Sequence, residues 1–420
     1  MDNENASTVT DRLFRHEAGR MVARLTRFLG PRHFDLAEDA VQDAICAALE
    51  TWKFTDLPEK PEAWLMRAAH NRAIDMIRAD RRLMDTVGKI ALDPTTEIRV
   101  ETSDADWNKA TSHDDRLALM FSCCHPKLTP EAQLALILKA LCGFSVKEIA
   151  AAFFVGEPAI EKRVTRAKAH LKRSRVLFDL DNPRQLFSRL GTVHHALYLL
   201  FNEGYHSLMA DAPVRNELCH EAIRLAQLLC NDSVTRLPAT NALLAMMYFN
   251  LARLVARIDE DGVFLSLACQ DRRRWDQRLI ALGFEYLDAS ATGVEISRFH
   301  LEAAIAAEHC RTTEFADTDW RRILEFYDLL ASTAPSPIVA LNRAIVTGQV
   351  EGPAAGLAEV SKLADEPFAR TYPFFYGALA EFNLALRRPR AAIAAFQQAY
   401  AVARSPAERR FYDRRLTTVA

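Results

Sequence analysis

Residues 145–172 of this 420-residue chain read SVKEIAAAFFVGEPAIEKRVTRAKAHLK. Ser145 followed three residues later by Glu148 is a capping box, which predicts that a short helix begins there. A turn at 154–156 separates it from a second predicted helix, which begins at residue 157 and runs to about residue 172. The apolar side chains of the second helix recur at helical spacing: Ile160, Val164, Ala167 and Leu171.

The second of these helices is strongly basic. Residues 157–175 hold seven basic and two acidic side chains, a net charge of +5 in a chain whose formal net charge is −2. A helix, a tight turn and a second helix form the unit that places its second helix in the DNA major groove. Basic side chains there attract phosphates, and early side chains reach bases. The predicted DNA contacts are Ala159, Lys162, Arg163, Arg166 and Lys168. A solvated basic helix in an ordinary bundle is the alternative.

The composition of the whole chain predicts an all-α protein. Only 14 residues are Gly and 17 are Pro, and the length favours two to four domains. Apolar residues make up 50% and charged residues 26%, which is enough apolar material for real cores. A net charge of −2 excludes a uniformly positive surface, so any contact with nucleic acid must be local.

The cysteines and the absence of long apolar runs indicate in which cellular compartment the protein is expected. Eight Cys are scattered with one adjacent pair, Cys123 and Cys124, which predicts neither a disulfide framework nor a paired zinc site. The first twenty residues lack an apolar signal core, and the chain has no uncharged apolar run of about 18 residues. We expect a soluble cytoplasmic protein without a membrane partner or a cofactor.

A second basic segment lies at residues 64–82, with five Arg and two Asp. Its apolar positions, Leu65, Ala69, Ile74 and Ile77, predict one buried helix face. The polar side chains expected to project together are Arg67, Asn71, Arg78 and Arg82. Trp64, with Phe54 of the preceding loop, could stack on unpaired bases. Aromatic residues at this spacing also suit a protein core.

Four parts of the chain are predicted from these patterns. Two amphipathic helices between residues 10 and 52, broken at Gly30 and Pro31, join the basic segment in a helical domain, residues 1–85. An acidic linker, 86–115, follows, and residues 93–115 carry a net charge of −5. The domain of the two-helix unit covers 116–178, where Thr129 is a predicted N-cap. A helical extension covers 186–420.

The extension shows the pattern of paired helices. Between residues 376 and 404, the residues at the offsets of a tetratricopeptide unit are Tyr376, Leu379, Ala380, Ala392, Phe396 and Ala399. Residues 337–363 show a looser version of this pattern. We therefore expect a tetratricopeptide-like array of helical hairpins in this part of the chain.

The segment LAEDAVQD at residues 36–43, followed by the run 64–82, resembles region 2 of extracytoplasmic-function (ECF) sigma factors, in the sigma-70 family. Residues 134–171 resemble region 4 of the same family. FSCCHP at residues 121–126, with strings at 201–205, 270–276 and 335–343, resembles the subgroup with a long tetratricopeptide-like extension. The resemblance implies a factor that directs core RNA polymerase to promoters, with RNA polymerase and promoter DNA as partners. It also implies control by the fused extension, where a regulatory protein or ligand would bind.

Residue roles follow from the resemblance position by position. The residues matching the helix that binds the polymerase clamp are Asp35, Glu38, Asp39 and Gln42. The residues matching minus-10 contacts are Phe54, Asn71, Arg78, Arg81 and Arg82, and the residue pattern adds Trp64 and Arg67 to this predicted set. The residues matching minus-35 contacts are Lys162, Arg163 and Arg166, and the residue pattern adds Ala159 and Lys168. Phe154, where the family's turn usually has Gly, and Pro158, at the helix start, depart from the pattern and predict a wider turn.

Other functions stay open on the sequence. An ordinary helix-turn-helix regulator with a helical sensor domain would leave residues 36–82 without a role. A metal-dependent enzyme in the C-terminal half would rest on scattered His and Glu, among them His194, His195, Glu203 and His206. The charge-rich segment 271–276 favours a salt network or a docking surface over catalysis. We predict no catalytic and no metal-binding residues.

Overall fold

The structure, a computed structural model, describes residues 6–52, 57–87, 114–173, 183–206 and 214–419. These residues form 18 α-helices, together with six short 3-10 segments. Within the described ranges the β structure amounts to one isolated bridge, between Ile258 and Phe264. The all-α fold predicted from the composition is confirmed. The chain divides into two compact units, residues 1–196 and 197–420.

The first unit contains two helical bundles. Its helices are α1 (Ala6–Leu29), α2 (Phe34–Thr51), α3 (Pro61–Val87), α4 (Asp115–Cys123), α5 (Pro130–Ala140), α6 (Val146–Phe153) and α7 (Glu157–Lys172). The next helix, α8 (Pro183–Tyr205), begins in the first unit and ends in the second. Most of the predicted acidic linker, residues 88–113, lies outside the described residues.

Helices α1, α2 and α3 pack together as the predicted N-terminal bundle. Gly30, with a φ of 84°, ends α1 in a left-handed conformation that suits glycine, and Pro31 follows it. The core of this bundle consists of side chains that are at most 3% exposed: Met21, Leu25, Phe34, Ala37, Val41, Leu65, Ala69 and Ile77. The alternation of buried and exposed positions on α2 and α3 leaves one face of each helix available to partners.

Helices α4 to α7 form the second bundle. Thr129 caps α5, because its hydroxyl accepts a hydrogen bond from the backbone N–H of Ala132, and Pro130 occupies the first turn. Nearly all of α5 is buried, including Leu136, Ile137 and Leu138. This central helix supports α7, and α7 buries its predicted apolar face: Ile160, Val164, Ala167 and Leu171.

The second unit consists of consecutive packed helices. They are α9 (Asn216–Asn231), α10 (Pro238–Ala252), α11 (Gln277–Ser290), α12 (Arg298–Cys310), α13 (Trp320–Thr333), α14 (Pro337–Glu351), α15 (Pro353–Ser361), α16 (Pro373–Ala385), α17 (Pro389–Ala401) and α18 (Pro406–Val419). Both hairpins indicated by the sequence are present, α14 with α15 and α16 with α17. In the second hairpin, Ala380, Ala392, Phe396 and Ala399 are fully buried. Small residues thus bring the paired helices close, as the repeat pattern requires.

Candidate nucleic-acid interface

Helix α6, a three-residue turn and helix α7 form the predicted helix-turn-helix. The Ser145 hydroxyl accepts a 3.1 Å hydrogen bond from the Glu148 N–H, and the Glu148 carboxylate accepts one of 2.5 Å from the Ser145 N–H. This is the predicted capping box. Both orphan donors at the start of α6 are satisfied locally, so the helix start does not depend on distant contacts.

Phe154 occupies the turn in the left-handed conformation, with φ 52° and ψ 41°. The Val155 N–H donates to the carbonyl of Ala150 at 3.0 Å, which is the backbone bond of a Schellman cap. Pro158 lies in the first turn of α7, where its missing N–H leaves no bond unmade. The expected widening of the turn is therefore not seen: Phe154 takes the conformation that Gly would take, at a cost in strain.

Four of the five residues predicted to contact DNA lie on or beside the exposed face of α7: Ala159, Lys162 and Arg166 are exposed, and Arg163 is half-buried. Lys168 is half-buried and faces α2, where its ammonium nitrogen contacts Glu38. The buried apolar face fixes the helix on α5, so the basic side chains project from a rigid support. An exposed basic helix surface in a net acidic chain suits phosphate contacts.

Helix α3 presents a second basic face. Arg67, Asn71, Arg78 and Arg82 are exposed, as predicted. Arg72 lies off this set and is held to α2 by a 2.6 Å ion pair with Asp43. Of the other predicted minus-10 residues, Phe54 lies outside the described residues, and so does the side chain of Arg81.

Trp64 at the start of α3 is half-buried and packs on Trp52 at the end of α2. Their ring centroids are 5.5 Å apart at an interplanar angle of 57°. Since Trp64 keeps part of its surface exposed, it is both a packing residue and an accessible aromatic face. In the sequence, the two tryptophans flank the segment that contains Phe54.

The four residues of α2 predicted to bind core polymerase separate into two pairs. Asp39 and Gln42 are exposed. Glu38 lies 2.5 Å from the ammonium nitrogen of Lys168, and Asp35 forms an ion pair with Lys172. Neither pair was predicted from the sequence, and Lys172 was not among the predicted contact residues. The opposite charges of residues 35–39 and residues 162–175 are the sequence feature that could have indicated the pairing.

Comparisons with known protein families match three parts of the chain. Sigma-70 region 2 matches residues 13–83, and Sigma-70 region 4 matches residues 118–171. A family of unknown function (DUF6596) matches residues 189–291. The chain belongs to the sigma-70 family. It is an ECF-like sigma factor with a C-terminal extension, which the resemblance predicted.

Two relatives show how much of this sigma factor is shared with other proteins. It is 34% identical to an uncharacterized protein of Rhizobium meliloti over 389 residues, which is 93% of this chain and 91% of that protein. It is 29% identical over 164 residues to the ECF RNA polymerase sigma factor SigE of Mycolicibacterium smegmatis, which is 39% of this chain and 60% of that protein. No solved structure matches the sigma factor significantly. Its domains make core RNA polymerase and promoter DNA its partners.

The pair Cys123 and Cys124 lies buried at the end of α4 as free thiols. Burial raises the pKa of the Cys124 thiol to about 12, and the Cys123 pKa is raised as well, chiefly by burial. Both thiols therefore stay protonated at neutral pH. His125 contacts His170 of α7, with Nδ1 and Nε2 2.9 Å apart. The contact of His125 with His170 links the segment after α4 to α7.

The histidines weighed as metal ligands have other neighbours. His206 Nε2 lies 2.9 Å from the Glu408 carboxylate, and its Nδ1 lies 3.0 Å from the Arg257 guanidinium. Burial lowers the pKa of His194 to about 4. In the part of the sigma factor that the structure describes, no three His, Cys, Asp or Glu residues are grouped to hold a metal ion. None of its described helices is long and apolar enough to cross a membrane.

The charged segment 271–276 is an internal anchor of the second unit. The buried Arg272 guanidinium donates to the His309 carbonyl at 3.0 Å and to the hydroxyls of Thr312 and Thr318 at 2.8 and 2.9 Å. Asp276 caps α11 by accepting from the backbone N–H of residues 278 and 279. The Arg272 contacts join the segment to the end of α12 through hydrogen bonds to neutral acceptors, whereas the ion pair of Arg273 with Asp271 lies within the segment itself.

Proposed function

We propose that this sigma factor recognises two promoter elements with its two basic surfaces. The exposed face of α7, with Lys162 and Arg166 at its centre, would contact the minus-35 element, assisted by Ala159, Arg163 and Lys168. The observation that carries this proposal is the rigid mounting of α7: its apolar face is buried while its basic face is exposed. Such a helix fits the major groove.

The minus-10 element would be bound by α3. Arg67, Asn71, Arg78 and Arg82 share the exposed face of this helix. Trp64 is placed at its start, so that backbone contacts and base stacking could occur side by side. Phe54 and Arg81 complete the proposed set by their match to region 2.

Core polymerase would bind the acidic face of α2 through Asp35, Glu38, Asp39 and Gln42. Acidic side chains attract a basic partner surface and speed its approach. The sigma factor itself would catalyse no reaction, because polymerase supplies the chemistry. It would act in the cytoplasm, where polymerase and promoter meet.

In vitro transcription tests the proposal. Purified core polymerase with this sigma factor, on DNA taken from upstream of its own gene, is expected to yield a defined transcript that core polymerase alone does not make. An ordinary helix-turn-helix regulator could not start transcription in this assay. The lack of a transcript from every promoter tested, despite an active control sigma factor, would contradict the proposal.

The C-terminal extension would control this activity. Support comes from α8, because the start of the extension is held in the first unit by Arg189 and Thr192 and the same helix continues into the second unit. The test is a variant that ends at Ala196, compared with the full chain in the same assay. A severalfold change in transcript yield in either direction supports control. Equal yield at equal occupancy of core polymerase would exclude it.

A further inference from the structure

Four nitrogen-bearing side chains of the second unit come together where three segments of the chain meet. Arg253 directly follows α10, and Arg272 and Trp275 belong to the segment 271–276, which precedes α11. His309 lies in the last turn of α12. Arg253 is half-buried, and the other three side chains are at most 8% exposed. Two guanidinium groups, an indole and an imidazole thus lie in the interior of the extension.

The two arginines share one aromatic neighbour. The Asp276 N–H donates a 3.0 Å hydrogen bond to the carbonyl of Ala252, the last residue of α10, and this bond holds the segment 271–276 beside Arg253. The guanidinium carbons of Arg253 and Arg272 lie 5.3 and 5.2 Å from the centroid of the Trp275 ring. Both positive charges are therefore held against the same indole.

These positive charges also act on His309. Burial lowers the pKa of His309 to about 3, and repulsion from Arg253 and Arg272 contributes to this shift. Burial lowers the pKa of Arg272 too, and Arg253 lowers it further. Cys310 and the exposed Glu314 act in the opposite direction with smaller effects. Shifts of this kind are expected where positive charge is concentrated inside a protein without a buried counter-charge.

No carboxylate in the described part of the extension forms an ion pair with either arginine, and the acceptors of Arg272 are neutral. A second cationic cluster of the same unit differs in this respect. Arg404 pairs with Glu408 at 3.0 Å, and the same carboxylate lies 2.9 Å from His206. Glu408 is 2% exposed, so that cluster contains its own counter-charge. Its presence shows what the cluster around Arg272 lacks among the described residues.

Buried donors of the cluster point to the same conclusion. Its buried nitrogen atoms without a hydrogen-bond partner among the described residues are Arg253 Nε, Arg272 Nε, Trp275 Nε1 and His309 Nδ1. Buried polar atoms of proteins rarely stay unpaired, and several in one place indicate a ligand or ordered water. Water would accept hydrogen bonds but would not balance the two positive charges. An oxyanion does both, because its oxygen atoms accept charge-assisted hydrogen bonds.

We propose that the cluster of Arg253, Arg272, Trp275 and His309 binds a small oxyanion, supplied by a phosphate or a carboxylate group. The arginines provide the counter-charge, and the indole N–H adds a directional donor that fixes the orientation of the anion. The bound group would connect α10, the segment 271–276 and α12, so it would stabilise the second unit. The site lies apart from the residues proposed to contact the promoter and polymerase.

Isothermal titration calorimetry of the full chain tests the proposal, with inorganic phosphate in one arm and acetate in the other. The buffer contains neither anion. We expect saturable binding of at least one of them at one site per chain, and the tighter of the two identifies the chemical group. Absence of saturable binding of both anions at about 10 mM, where a site with a Kd of about 1 mM is mostly filled, would overturn the proposal.

Arg253→Gln tests whether binding takes place at this cluster. The Arg253 side chain has no hydrogen bond or ion pair among the described residues, so its removal leaves no acceptor of the described chain unpaired. We expect the affinity for the anion to fall about tenfold or more, since a charge-assisted contact is lost. Arg273→Gln is the matched control, because it removes the same charge from an exposed position in the neighbouring segment. Equal loss of affinity in the two variants would assign the binding to net charge and overturn the proposal.

Urea unfolding gives a second measurement. Phosphate also stabilises proteins in general by exclusion from their surface, so the decisive quantity is a difference between variants. We expect the rise of the unfolding midpoint, from chloride to the tighter anion at equal ionic strength, to be larger for the wild type than for Arg253→Gln. An equal rise in both would contradict a specific site. These measurements need neither polymerase nor promoter, so their failure would leave the proposed function standing.

Discussion

The guanidinium of Arg189 donates a 2.9 Å hydrogen bond to the carbonyl oxygen of Phe121, 68 residues earlier in the chain. The bond ties the first part of α8 to the end of α4. Thr192, one turn later on α8, donates a 3.0 Å hydrogen bond to the Gln133 side chain on α5. The start of the extension therefore packs as part of the second bundle, which α4 to α7 form.

We predict that a variant ending at Asn182 is less stable than one ending at Ala196. The shorter chain lacks Leu186, Leu190 and Val193, which are at most 4% exposed. Burial of three aliphatic side chains contributes about 5 kcal/mol, so the difference in the free energy of unfolding should be of that order. Urea unfolding of both variants measures it. Equal unfolding midpoints would show that α8 does not stabilise the first unit.

Phe154 provides a test of backbone strain in the helix-turn-helix. A residue with a Cβ pays about 1 kcal/mol or more in the left-handed region, whereas glycine does not. Phe154→Gly and Phe154→Ala both lose the aromatic ring, so the comparison isolates the backbone. We expect the Gly variant to be more stable than the Ala variant by about 1 kcal/mol in thermal or urea unfolding. The reverse order would contradict the left-handed turn.

Arg166 provides a test of the exposed face of α7. Each phosphate contact contributes a slope of about 0.9 to the dependence of log affinity on log salt. Arg166→Ala is expected to weaken binding of polymerase holoenzyme to minus-35 duplex DNA and to lower this slope by about one contact. Lys139→Ala removes the same charge from an exposed position on α5 and should leave the slope unchanged. Equal effects of the two changes would count against α7 as the DNA-reading helix.

Arg272 and Arg273 are adjacent arginines whose substitutions are expected to affect stability very unequally. Arg272 is 3% exposed, and its loss would leave the buried His309 carbonyl and Thr318 hydroxyl, and the half-buried Thr312 hydroxyl, without this donor. We expect Arg272→Ala to lower the free energy of unfolding by about 3 kcal/mol. Arg273 is exposed and pairs with Asp271 in its own turn, so Arg273→Ala should leave the free energy of unfolding nearly unchanged. A similar loss of unfolding free energy in the two variants would show that Arg272 is not the residue that anchors this segment.

The features predicted from sequence are those encoded by neighbouring residues. The sequence predicted the capping box of Ser145 and Glu148, the N-cap Thr129 and the apolar stripe of α7. Each of these depends on residues three or four positions apart, so the sequence pattern alone indicates it. The pairing of Lys168 with Glu38 joins residues 130 positions apart and depends on how two bundles pack. Arg272 was missed as a buried residue for a similar reason: its charged neighbours suggest a surface, while its acceptors come from 37 to 46 residues further along.

His309 should make the second unit sensitive to acid. Burial, with smaller contributions from Arg253 and Arg272, lowers the pKa of His309 to about 3. An unfolded histidine has a pKa of about 6.5, so the unfolded state binds more protons below that pH. Stability conferred by the neutral imidazole is therefore fully present above about pH 6.5 and is lost as the pH falls toward 3, by about 1.4 kcal/mol per pH unit at most.

We predict that His309→Phe and His309→Gln both flatten this dependence. The Phe variant retains an aromatic ring beside Trp320, whose centroid lies 5.4 Å from that of His309, whereas the Gln variant does not. The two variants will differ in absolute stability for that reason. Between pH 7 and pH 5, however, each should lose about 2 kcal/mol less than the wild type does, measured by urea unfolding of the full chain. A wild-type slope preserved in both variants would mean that another group takes up the proton.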